Sequence, residues 1–549
     1  MALNITNVED AALLLQQAFE QQDAAAARRR PIPPSTQNDE SDDDVDESFD
    51  EIYEELGDKY IEANTRLGYE KANARFILYL HREFPTYLNE DTKIKMDSAT
   101  DTTTEALNFA KSVTTSYCPI KLADLPVKVF TKFLYHRAES MGKRFLSKSG
   151  IGGYRSALKD MFKRSGIEVS NKFENELKKI NKCLVKSYQK EKGVTGQKMT
   201  EGKEAMPFAL YCKLCDWMLN DTGSESIFGR AFLTLTWNLM CRSRNTVYIH
   251  RDHITWTDDA MTIQFAHMKT DMQGFDSAYK RYIYANSQNP KICAVNATAC
   301  YLLFSGERND GMLFDSNSYS RFRRYMSALV KEHEEELINL GISPKDIGVH
   351  SIRKGAATYC CTGTTDAPHI AAICNRAGWT MGKVKDAYIK YGSAGDQHVG
   401  RVICGVNVHS PEFSCTPPHF RVDNTGLDDL TSTDAEIYDV LKNVFHTKLC
   451  LESRALVRMM LATLFHGYEI IHAALPNERS PLRGNVFFSH QHTAEFKRVK
   501  DSVEIIYGWE VSKYWNTHVT GIPTNIRILV GQEGIKTLIC NEIQSLGKT

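Results

Sequence analysis

The sequence contains no hydrophobic run long enough for a transmembrane helix. Apolar stretches such as Ala11–Leu15 and Ile528–Val530 fall far short of the roughly 20 residues that a bilayer requires. Near the N-terminus, Glu9 and Asp10 stand where a signal peptide needs a basic start and an apolar block. We therefore predict neither membrane insertion nor export, and expect the 14 cysteines to stay reduced.

Motifs for metal and nucleotide binding are also missing. Cys212 and Cys215 form a CxxC pair, but no second pair follows at zinc spacing, so we interpret them as buried thiols. No glycine-rich phosphate loop is present, and the adjacent Asp258 and Asp259 indicate a turn. We predict no metal and no cofactor. Four further residues cluster along the chain without ligand spacing: Cys360, Cys361, His369 and Cys374.

Net charge is small overall, at −1, but it is unevenly distributed. Residues 1–58 carry 16 acidic and 3 basic side chains, a net −13, and residues 411–549 carry a net −2, which leaves +14 on residues 59–410. A basic body behind an acidic tail is typical of proteins that bind a polyanion, most often nucleic acid. The alternative is that the lysine-rich helices only solvate the surface.

Composition and periodicity predict a mainly α-helical protein with a small β-sheet. Residues 1–58 are predicted to be a disordered acidic tail, because twelve of the twenty residues from Asp39 to Asp58 are acidic. Residues 59–200 are predicted to form a helical domain that ends in a basic linker. Residues 201–406 are predicted to form a second domain, helical with β-hairpins, and residues 407–549 a C-terminal domain of unknown role.

Chemically suggestive residues occur in order along the second predicted domain. A histidine and an arginine three residues apart in VHSIRKGAATY lie on one side of a predicted helix. Each residue alone is a weak signal, but the ordered set is specific. The set comprises Arg242, Lys269, His350, Arg353, Trp379 and Tyr388.

This order and spacing resemble the catalytic domain of the tyrosine recombinases. The stretch AGWTMGKVKDAYIKY resembles the corresponding stretch of Cre-like recombinases. The stretches HSIRKGAATY, RAGW and AGDQHVGR resemble most closely the recombinases of Crypton-type eukaryotic DNA transposons. The resemblance covers roughly residues 59–405. It implies a helical DNA core-binding domain over 59–200 and a tyrosine-recombinase catalytic domain over 201–406.

The chemistry of metal-free phosphodiester cleavage requires these residue types. Arg242 and Arg353 are predicted to clamp the non-bridging phosphate oxygens, because guanidinium groups stay charged and present planar forks. Tyr388 is predicted to attack the phosphorus and form a 3'-phosphotyrosyl bond. That bond conserves the energy of the phosphodiester, so no ATP is needed.

Three residues are predicted to support this reaction. Lys269, on a predicted hairpin, is expected to protonate the leaving 5' oxygen, and His350 to assist the nucleophile or a phosphate oxygen. Trp379 is expected to donate its indole N–H to phosphate and to pack against the helix of the nucleophile.

Two of these assignments have neighbouring competitors. Arg244 competes with Arg242 for the first clamp position, and Tyr391 competes with Tyr388 as nucleophile; spacing favours Arg242 and Tyr388. Many relatives carry an acidic residue three positions after the first arginine, whereas this chain has Asn245, so support for the site is altered there.

The predicted partner is double-stranded DNA, held as in a clamp, with a homo-oligomer, a tetramer, assembled on it. The resemblance implies integration or excision of a mobile element in the nucleus, and Arg28–Arg30 are a weak nuclear signal. Candidate DNA contacts in the helical domain are Lys148, Tyr154, Arg155, Lys159 and Lys163.

Two other functions stay open from the sequence. One is a domesticated DNA-binding protein that keeps the fold without recombining. The other is a topoisomerase IB-like enzyme that relaxes DNA through the same covalent chemistry.

Overall fold

The fold is mainly helical and contains a small antiparallel sheet, which confirms the predicted class. The chain divides into two compact units, unit 1 (Met1–Thr200) and unit 2 (Glu201–Thr549). None of the helices in the described ranges combines the length and apolar character needed to cross a membrane. The computed structural model describes residues 63–196, 202–265, 279–305, 310–379, 381–382, 391–421, 454–476, 480–489, 493–507 and 518–546, with Ile437, Val440 and Phe445.

Unit 1 is built from amphipathic helices around an aromatic core. Phe76 packs edge-on against Phe130, with ring centroids 5.4 Å apart, and also contacts Phe133 at 4.9 Å. Ser147 and Ser170 cap two of the helices by accepting hydrogen bonds from backbone N–H groups. Its described helices are α1 (Ala63–Glu83), α2 (Glu90–Ser98), α3 (Thr102–Lys111), α4 (Val127–Glu139), α5 (Lys148–Arg164) and α6 (Asn171–Val194).

Unit 2 packs around one helix that is buried on every side. Its helices up to residue 403 are α7 (Phe208–Asn220), α8 (Ser224–Asn238), α9 (Ser243–Val247), α10 (Ala294–Ser305), α11 (Ser318–Glu332), α12 (Glu334–Asn339), α13 (Val349–Thr362), α14 (Ile370–Ala377) and α15 (Ser393–Ile403). Helix α8 is the central one, and it packs against α7, α10 and α13. On it, Trp237 is fully buried, stacks on Tyr211 at 4.3 Å and donates to the Ile403 carbonyl at 3.3 Å.

The sheet of unit 2 consists of β1 (Ile254–Thr257), β2 (Ala260–Ile263) and β3 (Arg281–Ile283), all antiparallel. Asp258 and Asp259 form the two-residue turn between β1 and β2, as predicted, and Asp258 adopts a positive φ of 55°. All four residues of β2, the central strand, are buried, and α15 packs against β3 while α16 (Arg454–His466) packs against β1. The connection between β2 and β3 includes residues 266–278, which lie outside the described residues.

The described part of residues 407–549, for which a separate C-terminal domain is predicted, packs against the rest of unit 2. Phe465 and Phe496 share one hydrophobic core with residues 206–406, and α16 packs against α10. The short-range sequence pattern gave no sign of this long-range packing. The elements are β4 (His419–Phe420), α16 (Arg454–His466), α17 (Tyr468–Ala474), α18 (Val486–Ser489), α19 (Ala494–Asp501), β5 (Val503–Glu504), which pairs antiparallel with β4, and α20 (Thr524–Leu546).

Candidate active site

Four of the six predicted catalytic residues lie in described parts of unit 2: Arg242, His350, Arg353 and Trp379. Lys269 and Tyr388 lie outside the described residues. The four described residues come from three separate segments of the chain. A phosphate-binding site requires the fold to bring these segments close together.

Arg242 is placed by a tight turn between α8 and α9. Met240, which is buried, adopts a positive φ of 50°, an uncommon conformation for a residue other than glycine. The turn is held because the Thr246 hydroxyl lies 2.9 Å from that of Thr236 and 3.2 Å from the Cys241 thiol. Arg242 then precedes the first residue of α9.

The two competing arginines of this turn have different environments. Arg244 is exposed, and its guanidinium lies over the Tyr319 ring at 5.6 Å. Arg242 is half-buried, and its Nη1 is shielded from solvent without a hydrogen-bond partner. Arg242 is therefore the one with unused hydrogen-bonding capacity inside the protein.

Arg353 lies on the inner side of the first turns of α13. Its Nη2 donates to the carbonyl of Ala377, while its Nε is buried without a partner. The guanidinium carbon lies 5.3 Å from the centre of the Trp379 ring, within the usual range of a cation–π contact. Helix α13 thus carries Arg353 to the C-terminal end of α14.

Trp379 reaches Arg353 because α14 ends in a glycine. Gly378 adopts the left-handed conformation, with φ of 63°, which favours glycine. The backbone N–H of Trp379 then donates a hydrogen bond to the carbonyl of Cys374 at 2.9 Å. The sequence RAGW therefore reads as a helix end that turns the indole toward the arginine.

The electrostatics of Arg242 and Arg353 set this site apart. Burial, and then the positive charge of Arg242, lower the pKa of Arg353 to about 10. Within the described part of the chain, no carboxylate forms an ion pair with either arginine, and each keeps a buried nitrogen without a partner. Two cations held together without an anion form a site suited to a phosphate.

His350 is exposed on the first turn of α13, three residues before Arg353. It lines an open groove together with Arg323 on α11. The structure thus places His350 beside the arginine site, on the solvent side of the same helix.

The hydroxyl of Tyr391, the competing nucleophile, is already engaged in a hydrogen bond. It donates a hydrogen bond to the carbonyl of Lys280, its ring stacks on Tyr279 at 4.3 Å, and Arg281 lies over its face at 5.1 Å. Burial raises the pKa of Tyr391 well above its ordinary value. A hydroxyl that is bonded and hard to ionise is a poor nucleophile.

The predicted DNA contacts lie on or at the start of α5 in unit 1. Lys148 and Lys163 are exposed and Arg155 is half-buried. Tyr154 instead packs edge-on against Phe133 at 5.2 Å and accepts a hydrogen bond from Arg137. Lys159 pairs with Glu174 at 2.5 Å. Tyr154 and Lys159 therefore have partners inside unit 1, which the polar pattern of the helix did not reveal.

The cysteines near the site have structural surroundings. Cys215 is fully buried, and burial raises the pKa of Cys212 to about 11. Cys360 is buried in the core of unit 2, whereas Cys361 is exposed. No group of three metal-binding side chains occurs within the described ranges.

Two structurally important arginines were missed by sequence reasoning. Arg376 and Arg401 are almost fully buried, and each forms an ion pair with a buried carboxylate, Asp396 and Asp259 respectively. The signal was available in principle, because each arginine occupies a core-facing position in a short amphipathic helix.

Comparison with protein-family models and with curated protein sequences found no match for this chain. Its function therefore has to be argued from the site itself.

Proposed function

We propose that the chain is a site-specific DNA recombinase that cuts and rejoins DNA through a 3'-phosphotyrosyl intermediate, serving integration or excision of a mobile element. The observation that carries the proposal concerns Arg242 and Arg353: burial and the charge of Arg242 lower the pKa of Arg353, each keeps a buried nitrogen without a partner, and neither has a carboxylate partner among the described residues. A phosphodiester supplies the anion that this pair lacks.

In the proposed reaction, the Tyr388 hydroxyl attacks the phosphorus and passes its proton to His350 or to a phosphate oxygen. The bond between phosphorus and the 5' oxygen breaks, and Lys269 protonates that oxygen, leaving a free 5' hydroxyl. Attack by the 5' hydroxyl of a second strand on the phosphotyrosyl bond reverses the sequence and releases Tyr388. Arg242 and Arg353 neutralise the charge that develops on the phosphate oxygens. His350 assists the nucleophile or a phosphate oxygen, and the Trp379 indole supports Arg353.

We also propose double-stranded DNA as the partner, a homotetramer assembled on that DNA, and a nuclear location. These follow from the resemblance and from the net +14 on residues 59–410. On this proposal, the basic residues of α5, which include Lys148, Arg155 and Lys163, contact DNA phosphates.

The test is covalent capture. The full-length protein is mixed, in EDTA and without ATP, with a pool of nicked duplexes of randomised central sequence, and adducts that resist denaturant are isolated and sequenced. We expect an adduct in the wild type and in Tyr391→Phe, and none in Tyr388→Phe. An adduct lost only in Tyr391→Phe would overturn the assignment of the nucleophile.

Further results decide between the functions. If the protein binds duplexes of the pool but forms no adduct with any of them, the non-catalytic DNA-binding function replaces the proposal. Adducts followed by relaxation of supercoiled DNA, with no exchange between two sites, would identify a topoisomerase-like enzyme. Exchange that requires two sites supports the recombinase.

A further inference from the structure

A groove of about 480 Å³ opens beside the arginine pair. One wall is α11, and the other is the chain that leads into α13, from Pro344 to His350. Lys203 also lines the groove. Its side chain lies so close to Gly348 that a Cβ added to this glycine would come within 3.1 Å of it. We call this the α11–α13 groove.

The groove has an apolar floor. Met326 and Val330 on α11 face Ile347 and Val349 across it, and all four are almost fully buried. The exposed edges of these side chains offer carbon surface on which a sugar ring can pack, because burial of carbon surface contributes to binding.

The rim of the groove is basic. Arg323 and Lys203 are exposed, and the Lys203 ammonium is held in place by donating to the Lys345 carbonyl at 2.5 Å. Arg244 adds a third cation at the edge through its contact with the Tyr319 ring. The described residues that line the groove include no aspartate or glutamate.

His350 connects the groove to the arginine pair. It lines the groove, and it lies three residues before Arg353 on α13, which is about 4.5 Å along the helix axis. On the proposed function, a strand of DNA held at Arg353 passes His350 at the end of the groove.

We propose that the α11–α13 groove binds the sugar-phosphate unit next to the phosphate that is cleaved, with the sugar on the apolar floor and the phosphate between Arg323 and Lys203. This rests on the proposed function for the identity of the cleaved phosphate. It assigns to Arg323 and Lys203 a role in binding DNA that the catalytic motif does not contain.

The experiment is a binding cycle in a Tyr388→Phe background, which keeps the DNA intact. The duplex recovered by covalent capture, or the tightest-binding duplex of the same pool if no adduct forms, is made with one neutral methylphosphonate at each backbone position in turn. Affinity is measured by fluorescence anisotropy, with and without Arg323→Gln. The matched control is Arg324→Gln, which removes an exposed arginine next to Arg323 that does not line the groove.

We expect Arg323→Gln to weaken binding to unmodified DNA about tenfold, as for a charge-assisted hydrogen bond, and to reduce the salt dependence by about one phosphate contact. On the duplex whose methylphosphonate adjoins the cleaved position, Arg323→Gln should weaken binding hardly any further, because the charge that Arg323 contacts is already absent. Lys203→Gln should show its loss at the same position. Equal losses of affinity in Arg323→Gln and Arg324→Gln would overturn the proposal. So would a loss of affinity from Arg323→Gln that adds to the loss from the methylphosphonate at every backbone position.

Failure of the catalytic proposal gives a different result. If the wild type forms no adduct but Arg323 still couples to one phosphate, the groove remains a phosphate site and only its relation to cleavage is lost. If adducts form but the coupled phosphate is remote from the cleaved position, the recombinase proposal stands and the groove assignment is wrong.

Discussion

Two pairs of arginines in unit 2, Arg376 with Arg401 and Arg242 with Arg353, differ in whether a carboxylate pairs with them. Arg376 has a complete set of acceptors: Asp396 at 2.6 Å and the carbonyls of Asn238 and Tyr282, both at 2.8 Å. Arg242 and Arg353 lie on the neighbouring segments without a carboxylate partner in the described part of the chain.

Arg401 belongs to the first group. It pairs with Asp259, donates to the Thr520 carbonyl at 3.0 Å and lies over the Tyr284 ring at 4.0 Å. Asp259 also accepts hydrogen bonds from the backbone and the hydroxyl of Thr520. The protein satisfies Arg376 and Arg401 internally, and they hold elements together, whereas our proposal assigns to Arg242 and Arg353 an anion that comes from outside.

The largest expected effect is on catalysis. Arg353→Gln should slow adduct formation about 10³-fold or more, because it removes a charged donor from the reacting phosphate, while the fold is retained. The measurement is the single-turnover rate of adduct formation, with circular dichroism to monitor folding. Arg324→Gln is the control, and equal rates for the two variants would contradict the ligand-binding role of Arg353.

The second effect is on stability. Arg376→Met should lower the free energy of unfolding of unit 2 by about 3–5 kcal/mol, because Asp396 is left buried without its partner. Denaturant titration of the full chain measures it. Arg376→Met combined with Asp396→Leu should recover part of the loss, and a single substitution without cost would erase the distinction between the two groups.

Added anions should have a smaller effect. Inorganic phosphate should raise the Tm of unit 2 by a few degrees over chloride at equal ionic strength, because it binds the folded arginine pair. The rise should disappear in Arg353→Gln and persist in Arg376→Met. A rise that is the same in Arg353→Gln would show that phosphate acts elsewhere.

The smallest expected effect has the opposite sign to most substitutions. Arg242→Gln should increase the free energy of unfolding by up to about 1 kcal/mol, because the charge of Arg242 helps to lower the pKa of Arg353. The lowered folded-state pKa means that the charged form is disfavoured in the fold. Holding Arg353 charged in the fold therefore lowers the free energy of unfolding at pH values below about 10. The extra stability of Arg242→Gln should shrink as the pH rises through about 10, where Arg353 in the folded protein loses its proton. Arg244→Gln, measured in parallel, should show no such gain.

Local pattern was enough to predict the helices. The run of Tyr69, Phe76 and Leu80 at helical spacing corresponds to α1, and the adjacent Asp258 and Asp259 form the predicted turn. These features depend on residues close together in the sequence, where periodicity and turn chemistry act directly.

The surroundings of the candidate site could be predicted only in part. The motif order named Arg242, Arg353 and Trp379, but not that Gly378 turns the indole toward Arg353. The partners of Tyr154 and Lys159 depend on other helices of unit 1, so the polar pattern of α5 did not reveal them. The packing of Phe465 into the core of unit 2 likewise depends on contacts between distant segments.

The bond between Asp259 and Thr520 has a consequence for synthesis of the protein. The two residues are 261 positions apart, so the ion pair of Asp259 with Arg401 cannot gain its last partner until Thr520 has left the ribosome. Unit 1, by contrast, has all of its described core once residue 184 has emerged. Unit 1 can therefore fold during translation, whereas the contacts of the β1–β2 turn and α15 in unit 2 are completed only after Thr520 has emerged.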